Sequence, residues 1–430
     1  MGRALGEFFR QIGTPQGRFS LKFSLFNRTK PLILRAAWLY RRTLIRSTRL
    51  AAIVGSFGKT TTTRMVLTAL GGDTHKLFEF NAPASVALAL LRTIPGTRYA
   101  AVEVGLKEPG QMSPLADMVC PDIVVVTSIG SEHNRSFRNL EATRLEKSKM
   151  AAALKPDGLA LLNGDDDNVL WMKERIQSRV LTYGFGADND IRAVDYSMQW
   201  PDGTRFRLLA GGESHSIRMR LLGRHMVYPV LAAAAAAYGE GIPLNSLLPA
   251  FAQLLPTPGR MQPVKLPGGM VLLRDDYKSS LETIETALTT LAEIDARRKI
   301  VVLGEISEPP GRQGFIYGKI GERLAETADA VILVTEKKAF ERYRAGLNRG
   351  GFPRSAVIDA NRSSLKAAEA VKNMAEPGDV ILIKGKDIQR LERVAFALLG
   401  KTVRCNLPYC RREASRCAHC ELLEANAPAE

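Results

Sequence analysis

The chain has 430 residues, of which 45% are hydrophobic and 24% charged, and its formal net charge is +16. A chain of this length can bury a full core and should form two or three domains. It contains no uncharged apolar run of about 18 residues, which excludes a predicted transmembrane helix. Arg10 and Arg18 interrupt the apolar core that a signal peptide would need. We therefore expect a cytoplasmic, globular protein.

The first segment, residues 1–50, carries most of the excess positive charge. It contains eleven Lys and Arg against one acid, Glu7, and so supplies +10 of the net charge. The apolar side chains interleaved with the basic ones are Phe23, Phe26, Leu32, Leu34, Trp38, Leu39 and Leu44. Such a basic amphipathic segment can bind the inner face of an anionic membrane or a protein partner. It can also pack on the first domain as a helix with a solvated basic face. Both interpretations stay open, and because no nucleic-acid motif accompanies the segment, we expect no nucleic acid.

Residues 51–64, AAIVGSFGKTTTTR, predict a strand, a glycine turn and the start of a helix. Ala51–Val54 is an apolar run suited to a buried strand, and Thr62–Leu70 has the composition of a helix. A strand followed by such a turn directs backbone N–H groups and the positive end of the helix dipole at phosphate. The full P-loop pattern requires a glycine where Ile53 stands, so this chain matches the shorter form GxxGK[ST].

Several residues of this turn are candidates for nucleotide binding. Glycines allow the backbone to approach a phosphate closely. Lys59 can reach the terminal phosphates, and Thr60 can hold Mg²⁺. The predicted phosphate-binding set is Gly55, Ser56, Gly58, Lys59, Thr60 and Thr61.

Strands alternate with helices after the P-loop, which predicts a doubly wound parallel sheet over residues 51–257. Its further strands are Tyr99–Val104, Ile123–Thr127, Leu159–Leu162 and Val180–Tyr183, and its helices cover residues 139–154 and Val227–Tyr238. Residues 191–221 alternate like a β-hairpin with a turn at Asp202 and Gly203.

A second α/β pattern follows a Pro- and Gly-rich hinge at residues 256–259. It predicts a Rossmann-like C-terminal domain over residues 258–404. The predicted strands of this domain are Met270–Arg274, Lys299–Leu303, Ala330–Val334 and Val380–Ile383.

Two polar side chains stand at predicted strand ends of the first domain. Glu103 ends one strand and His133 follows another, and both should open toward the crevice that contains Lys59. Each alone would more often be an ordinary surface carboxylate or loop histidine. Together with Thr60 they form an oxygen and imidazole set that suits Mg²⁺ or Mn²⁺ near phosphates.

The last segment, residues 405–430, contains four of the five cysteines. Their spacing is Cys405-x4-Cys410-x6-Cys417-x2-Cys420, and four thiolates can close a tetrahedral Zn²⁺ site. Such a site would be structural, because four protein ligands leave no open position. Free thiols in a flexible tail are the alternative.

These motifs together resemble the Mur ligase family, the ATP-dependent ligases that build the peptidoglycan stem peptide. The resemblance covers about residues 50–400 and is nearest to the branch that adds D-alanyl-D-alanine. GSFGKTTT resembles the family's P-loop. VEVG and SIGSEH resemble the segments with its metal-binding acid and histidine, here Glu103 and His133.

The resemblance also implies roles for residues that the pattern alone does not single out. Lys147, in EATRLEKSKM, matches a lysine that is carbamylated in many members; the alternative is a solvated helix lysine. Asn81 matches an asparagine near the phosphates, and Arg260, in PGRM, matches the linker arginine. In DDYKSS, Asp276 matches a residue that meets the ribose, and Lys278 one that approaches the phosphate.

The reaction implied by the resemblance joins a carboxylate to an amine. The carboxylate attacks the γ-phosphate of ATP to give an acyl phosphate, and the amine then displaces phosphate as an amide forms. Phosphoryl transfer needs positioning and charge neutralisation, which Lys59, Lys278 and Mg²⁺ would supply. The family role of His133 places it with these residues in the catalytic set. The substrates would be small-molecule or carrier-linked acids and amines.

Two departures from the family pattern support a different function. Only 50 residues precede the P-loop, too few for the N-terminal substrate domain of that branch. Met226 and Pro229 stand where the family segment GxHNxxN has asparagines. These departures favour a non-catalytic or regulatory nucleotide-binding subunit that kept the fold, whereas the retained lysines, acid and histidine favour the ligase.

Overall fold

In this computed structural model of the protein, the described residues are 15–74, 81–131, 134–410 and 416–424, with side chains except at 15–27 and 134–135. They form two α/β halves, each built around its own sheet. Alternate residues of a strand point to opposite faces, and both faces of each sheet are buried. The predicted α/β class, with a P-loop half followed by a second α/β half, is confirmed.

The first sheet has the strand order β2-β1-β3-β4-β5-β6-β7-β8 within the described residues. Its strands are β1 (Arg49–Val54), β2 (Tyr99–Glu103), β3 (Ile123–Val126), β4 (Leu159–Asn163), β5 (Arg179–Gly184), β6 (Ile191–Gln199), β7 (Gly203–Ala210) and β8 (Glu213–Met219). Strands β1 to β6 pair in parallel, and β6, β7 and β8 pair antiparallel. The predicted hairpin over residues 191–221 is therefore a three-stranded extension of the parallel sheet.

The helices of the first half lie between or beside these strands. They are α1 (Pro15–Arg42), α2 (Lys59–Ala69), α3 (Pro83–Arg92), α4 (Met112–Val119), α5 (Asn134–Phe137), α6 (Leu140–Ala152), α7 (Asp167–Leu170), α8 (Val227–Gly239) and α9 (Leu248–Gln253). Helix α8 contains a fully buried alanine run, residues 232–237, and packs against α2. The small alanine side chains let α8 approach α2 closely. This packing holds α2, the helix that follows the P-loop, against the sheet.

The second sheet has the order β13-β12-β11-β14-β10-β9, and only the β9–β10 pair of these described strands is antiparallel. Its strands are β9 (Gln262–Lys265), β10 (Val271–Asp275), β11 (Lys299–Leu303), β12 (Ala330–Leu333), β13 (Val357–Asp359) and β14 (Val380–Lys384). Its helices are α10 (Leu281–Ala292), α11 (Gln313–Thr327), α12 (Lys337–Arg349), α13 (Ser364–Met374) and α14 (Glu392–Leu398). The sequence patterns missed β9 and β13, since both are short edge strands and β9 contains Pro263.

Helix α1 packs on the first half beside α3 and α4. Ala37 is fully buried, and Arg41 is 2% exposed. The Arg41 guanidinium donates to Val119 O at 2.9 Å, Cys120 O at 2.8 Å and Asp122 Oδ2 at 2.7 Å. The part of the basic segment that can be described is thus an integral helix of the fold. Across the described ranges, no helix has the length and apolar character needed to span a bilayer.

Candidate active site

The P-loop turn, residues 55–58, joins β1 to α2 at the carboxyl edge of the first sheet. Gly55 has φ +146°, and a Cβ there would lie 2.0 Å from Thr127 Oγ1. Gly58 has φ +79° and caps α2. Both positions therefore require glycine, the first because β3 approaches so closely and the second because of its left-handed backbone.

Lys59 is buried and folds back over this turn. Its Nζ donates to Gly55 O at 2.8 Å and to Ser56 O at 3.0 Å, and only 5% of the residue is exposed. The ammonium group is therefore held at the loop whose N–H groups and helix dipole attract an anion.

The acid at the end of β2 meets the hydroxyl at the start of α2. Thr60 Oγ1 donates to Glu103 Oε2 at 2.8 Å, and Asn81 Nδ2 donates to Glu103 Oε1 at 2.6 Å. Arg260, from the second half, donates to Thr60 Oγ1 at 3.3 Å. A 6% exposed carboxylate beside a hydroxyl supplies oxygen ligands of the kind that Mg²⁺ prefers. His133 lies outside the described residues.

Lys147 reaches the P-loop from helix α6. It is 6% exposed, and its Nζ donates to Ser56 Oγ at 2.8 Å. The same hydroxyl accepts from Gly130 N at 2.8 Å. Lys147 is thus not a solvated helix lysine, because its helix turns it inward against the phosphate-binding turn.

Asp276 is close to the cleft but faces another small cavity. It is 6% exposed and accepts from Arg274 Nε at 3.0 Å. Burial raises its pKa although the Arg274 guanidinium opposes the shift. Together with Pro258 it lines a cavity of about 20 Å³ beside Tyr277.

Two larger cavities meet at the P-loop, between the two halves. The first, about 360 Å³, is lined by the turn and by Glu103, Lys147 and Lys278. The second, about 330 Å³, is lined by Phe57, Thr61 and segment 225–229. Phe57, Gly58, Arg260 and Lys278 line both cavities, so the two cavities adjoin, and together we call them the cleft.

His225 gives the second cavity a polar group. Its Nδ1 is buried and has no hydrogen-bond partner among the residues that the structure describes. Burial lowers the pKa of the imidazole to about 4. The ring is therefore neutral near pH 7.

The structure adds a lysine to the site that our sequence reasoning missed. Lys384, the last residue of β14, is 1% exposed, and its Nζ donates to Asp275 Oδ2 at 2.7 Å and Lys278 O at 2.5 Å. It therefore fixes the backbone of Lys278 at the cleft. Its place just after the predicted strand Val380–Ile383 was the available signal, the same one that identified Glu103.

The cysteines of the last segment do not form the predicted zinc site. Within the described ranges, no three or more His, Cys, Asp or Glu side chains are grouped to hold a metal. Cys405 Sγ accepts from Arg393 Nη1 at 3.3 Å, whereas Cys417 packs with Phe396 and Leu423. None of the four cysteines forms a disulfide within the described ranges, and Cys405 and Cys417 have separate contacts with the second half.

Comparison with known families matches both halves of the chain. Residues 53–237 match the family model described as the Mur ligase middle domain, and residues 259–387 match the Mur ligase, glutamate ligase domain. The UDP-N-acetylmuramoyl-tripeptide--D-alanyl-D-alanine ligase of Escherichia coli (strain K12) is 26% identical over 370 residues, which are 84% of this chain and 79% of the relative. The ligase of the same name from Bacillus subtilis (strain 168) is 27% identical over 374 residues, 82% of this chain and 76% of the relative.

Solved structures show the same fold. The MurF ligase of Thermotoga maritima in complex with ADP has a TM-score of 0.75 at 21% identity and covers 87% of this chain and 84% of its own. MurF from Acinetobacter baumannii has a TM-score of 0.75 at 20% identity, with 87% and 81% covered.

Proposed function

Because this chain belongs to the Mur ligase family, we propose that it is an ATP-dependent ligase that joins a carboxylate to an amine through an acyl phosphate. One observation carries the proposal: two buried lysines and a buried carboxylate converge on the P-loop, in a cleft between the two halves. Buried charges of this kind are rare unless a partner or ligand compensates them. The domain division 1–50, 51–257, 258–404 and 405–430 is part of the proposal.

ATP would lie along the cleft. Its phosphates would bind the N–H groups of Gly55, Gly58, Thr60 and Thr61 and lie beside Ser56, whose own N–H donates to Ser128 O at 2.8 Å. The Lys59 ammonium would lie next to them. The nucleoside would enter the second cavity, which His225, Met226, Tyr228 and Pro229 line. Arg260 and Lys278 line both cavities and are suited to the phosphates between them. To meet the ribose, as the resemblance implies, the Asp276 carboxylate would have to turn from Arg274 and the small cavity toward the cleft. A relative of known structure was solved with ADP.

Mg²⁺ would be held by Thr60 and Glu103, with His133 and the Asn81 amide nearby. When bound, the ion neutralises charge on the phosphates. Lys59 and Lys278 then orient the γ-phosphate toward the carboxylate. The carboxylate oxygen forms a bond to phosphorus as ADP leaves, and the amine nitrogen next attacks the acyl carbon, loses a proton and displaces phosphate.

Lys147 would act as a carbamate rather than as an ammonium group. Its burial and its contact with Ser56 bring it to the edge of the phosphate site. As a carbamate it would present an anion to the metal side of the cleft, whereas an ammonium group there would repel Mg²⁺.

The substrates are proposed as an acid and an amine that are small or carrier-linked. The relatives' names specify a UDP-N-acetylmuramoyl-tripeptide and D-alanyl-D-alanine. The protein would work in the cytoplasm, at the inner membrane face. There the exposed side of α1, with Arg28, Leu32, Arg35 and Leu39, would contact an anionic surface or a partner.

The test is phosphate release from ATP with a panel of acids and amines. A ligase releases phosphate only when both an acid and an amine are present. The second candidate is a nucleotide-binding subunit without turnover, and it is favoured by Met226 and Pro229, which leave that wall of the cavity without side-chain amides. Tight ATP binding with no release in any pairing would support the subunit and contradict the ligase.

A further inference from the structure

An apolar groove runs between α1 and α4, outside the cleft. Its volume is about 520 Å³, within the range of roughly 300–1,000 Å³ that is usual for ligand pockets. The apolar side chains that line it are Leu34, Trp38, Pro83, Pro114, Leu115 and Met118. Leu115 and Met118 are 3% and 4% exposed and form the floor.

The wall of the groove formed by Trp38 is fixed in place. Its indole Nε1 donates to Asp117 Oδ2 at 2.8 Å, and the Arg42 guanidinium stacks on the ring at 4.1 Å. The ring is nevertheless 40% exposed. An apolar ligand would thus meet a preformed surface and would not have to order it.

The charged groups that line the groove are both cations. They are Lys30 and Arg35 of α1, and no acid lines it in the part of the chain that the structure describes. Next to it on the outer side of α1, Leu32 and Leu39 are 66% and 56% exposed. Apolar walls with a cationic rim complement a hydrocarbon chain that has an anionic head.

The groove adjoins the cavity of about 360 Å³ that the P-loop lines, which we call the catalytic cavity. Pro83 lines both, and it follows Asn81, whose amide donates to Glu103. Gln111 lines the groove and accepts from the N–H of Lys107, which lines the catalytic cavity. A ligand held in the groove therefore lies next to the catalytic cavity.

We propose that this groove holds the hydrocarbon chain of an anionic lipid that carries the carboxylate substrate. The chain lies against Leu34, Trp38 and Met118, and the anionic head lies by Lys30 and Arg35. The substrate part of this inference rests on the proposed ligase function, whereas the binding of the chain does not.

The test is calorimetric titration of the full-length protein with dodecyl phosphate. Ethyl phosphate supplies the anion without the chain, and dodecyltrimethylammonium supplies the chain with the opposite charge. We expect saturable binding of dodecyl phosphate only.

Leu34→Glu should weaken the binding of dodecyl phosphate about ten-fold or more, because a carboxylate would enter the apolar groove. Leu44→Glu, at an exposed leucine outside the groove, should leave it unchanged.

A second pair of variants keeps the test decisive if Leu34→Glu does not fold. Arg35→Glu at the rim should also weaken binding about ten-fold, because it places like charges together, and Arg46→Glu, exposed and outside the groove, should not. Dodecyl phosphate should raise the KM of the acid found in the panel and leave kcat unchanged.

Three results would overturn the lipid groove: no binding of dodecyl phosphate, equal binding by Arg35→Glu, or equal binding of the cationic analogue. An unchanged KM would overturn the claim that the bound lipid carries the substrate. A ten-fold gain on deletion of residues 2–14 would also overturn it, since the chain itself would then occupy the groove. If an ATP analogue fails to bind while dodecyl phosphate still does, the ligase function fails and the lipid groove stands.

Discussion

At the scale of single residues, three of the charged side chains proposed for the active site are buried, unlike most charged side chains. Lys59, Glu103 and Lys147 are each about nineteen-twentieths buried and face one cavity. Taking charges out of water is unfavourable unless partners compensate it. Because all three side chains line the cavity beside the P-loop, we infer that this cavity is suited to a charged ligand.

Lys147→Ala should lower the rate of phosphate release about 100-fold or more, because a positioned charge is lost from the phosphate site. Added bicarbonate should not restore it, since no amine remains to be carbamylated. Lys149→Ala is the matched control: it lies on the same helix, is 43% exposed and pairs with Glu146. Full activity of Lys147→Ala would remove the carbamate from the mechanism.

His225 should make stability depend on pH. Its folded-state pKa of about 4 lies below the ordinary value of 6.5, so the unfolded chain takes up the proton first. The free energy of unfolding should fall as pH drops from 6.5 toward 4, by about 3 kcal/mol at most. His225→Asn should lose less stability over that window in urea unfolding. Identical losses in the two proteins would show that the ring is not held neutral.

At the scale of elements, the P-loop depends on two glycines for different reasons. Gly55→Ala should nearly abolish binding of an ATP analogue, because the new Cβ would meet Thr127 at 2.0 Å. Gly58→Ala meets only Thr62, at 3.9 Å, so it should cost only about 1–2 kcal/mol of backbone strain. Thermal unfolding measures the stability of each variant, and titration measures its affinity for the ATP analogue. Equal losses of affinity in Gly55→Ala and Gly58→Ala would contradict the different roles given to the two glycines.

Helix α1 should be needed for the fold itself. Arg41→Ala leaves the buried carboxylate of Asp122 with Lys155 as its remaining cation, and we expect a loss of about 3 kcal/mol. Arg46→Ala, at an exposed position just after the helix, should change stability by less than about 0.5 kcal/mol. Urea unfolding compares the two, and an equal loss would mean that α1 is only loosely attached.

Apolar runs predicted most strands of both sheets, because buried parallel strands read as continuous hydrophobic segments. Edge strand β13 was missed because three residues carry too little pattern. Glu103 and Thr60 could be placed together from strand-end logic alone. The same logic could have placed Lys384 at the edge of the second sheet, but its partner Asp275 could not be predicted. Arg41 could not be placed at all, since only the packed fold brings it to residues 119–122.

At the scale of the molecule, contacts between the halves shape the cleft. Arg260 reaches Thr60, and Glu282 Oε1 accepts from Ser131 N at 2.7 Å. One apolar core cluster also includes residues of both sheets. The cleft therefore lies where the two halves meet, and residues of both halves line it.

A crystal structure with a non-hydrolysable ATP analogue and Mg²⁺ tests this picture most directly. We expect the triphosphate on residues 55–61, the ion beside Thr60 and Glu103, and the base in the cavity lined by His225. An analogue bound elsewhere, or a cleft left empty with Glu103 turned away from the ion, would contradict the proposed nucleotide site and the ligase function with it.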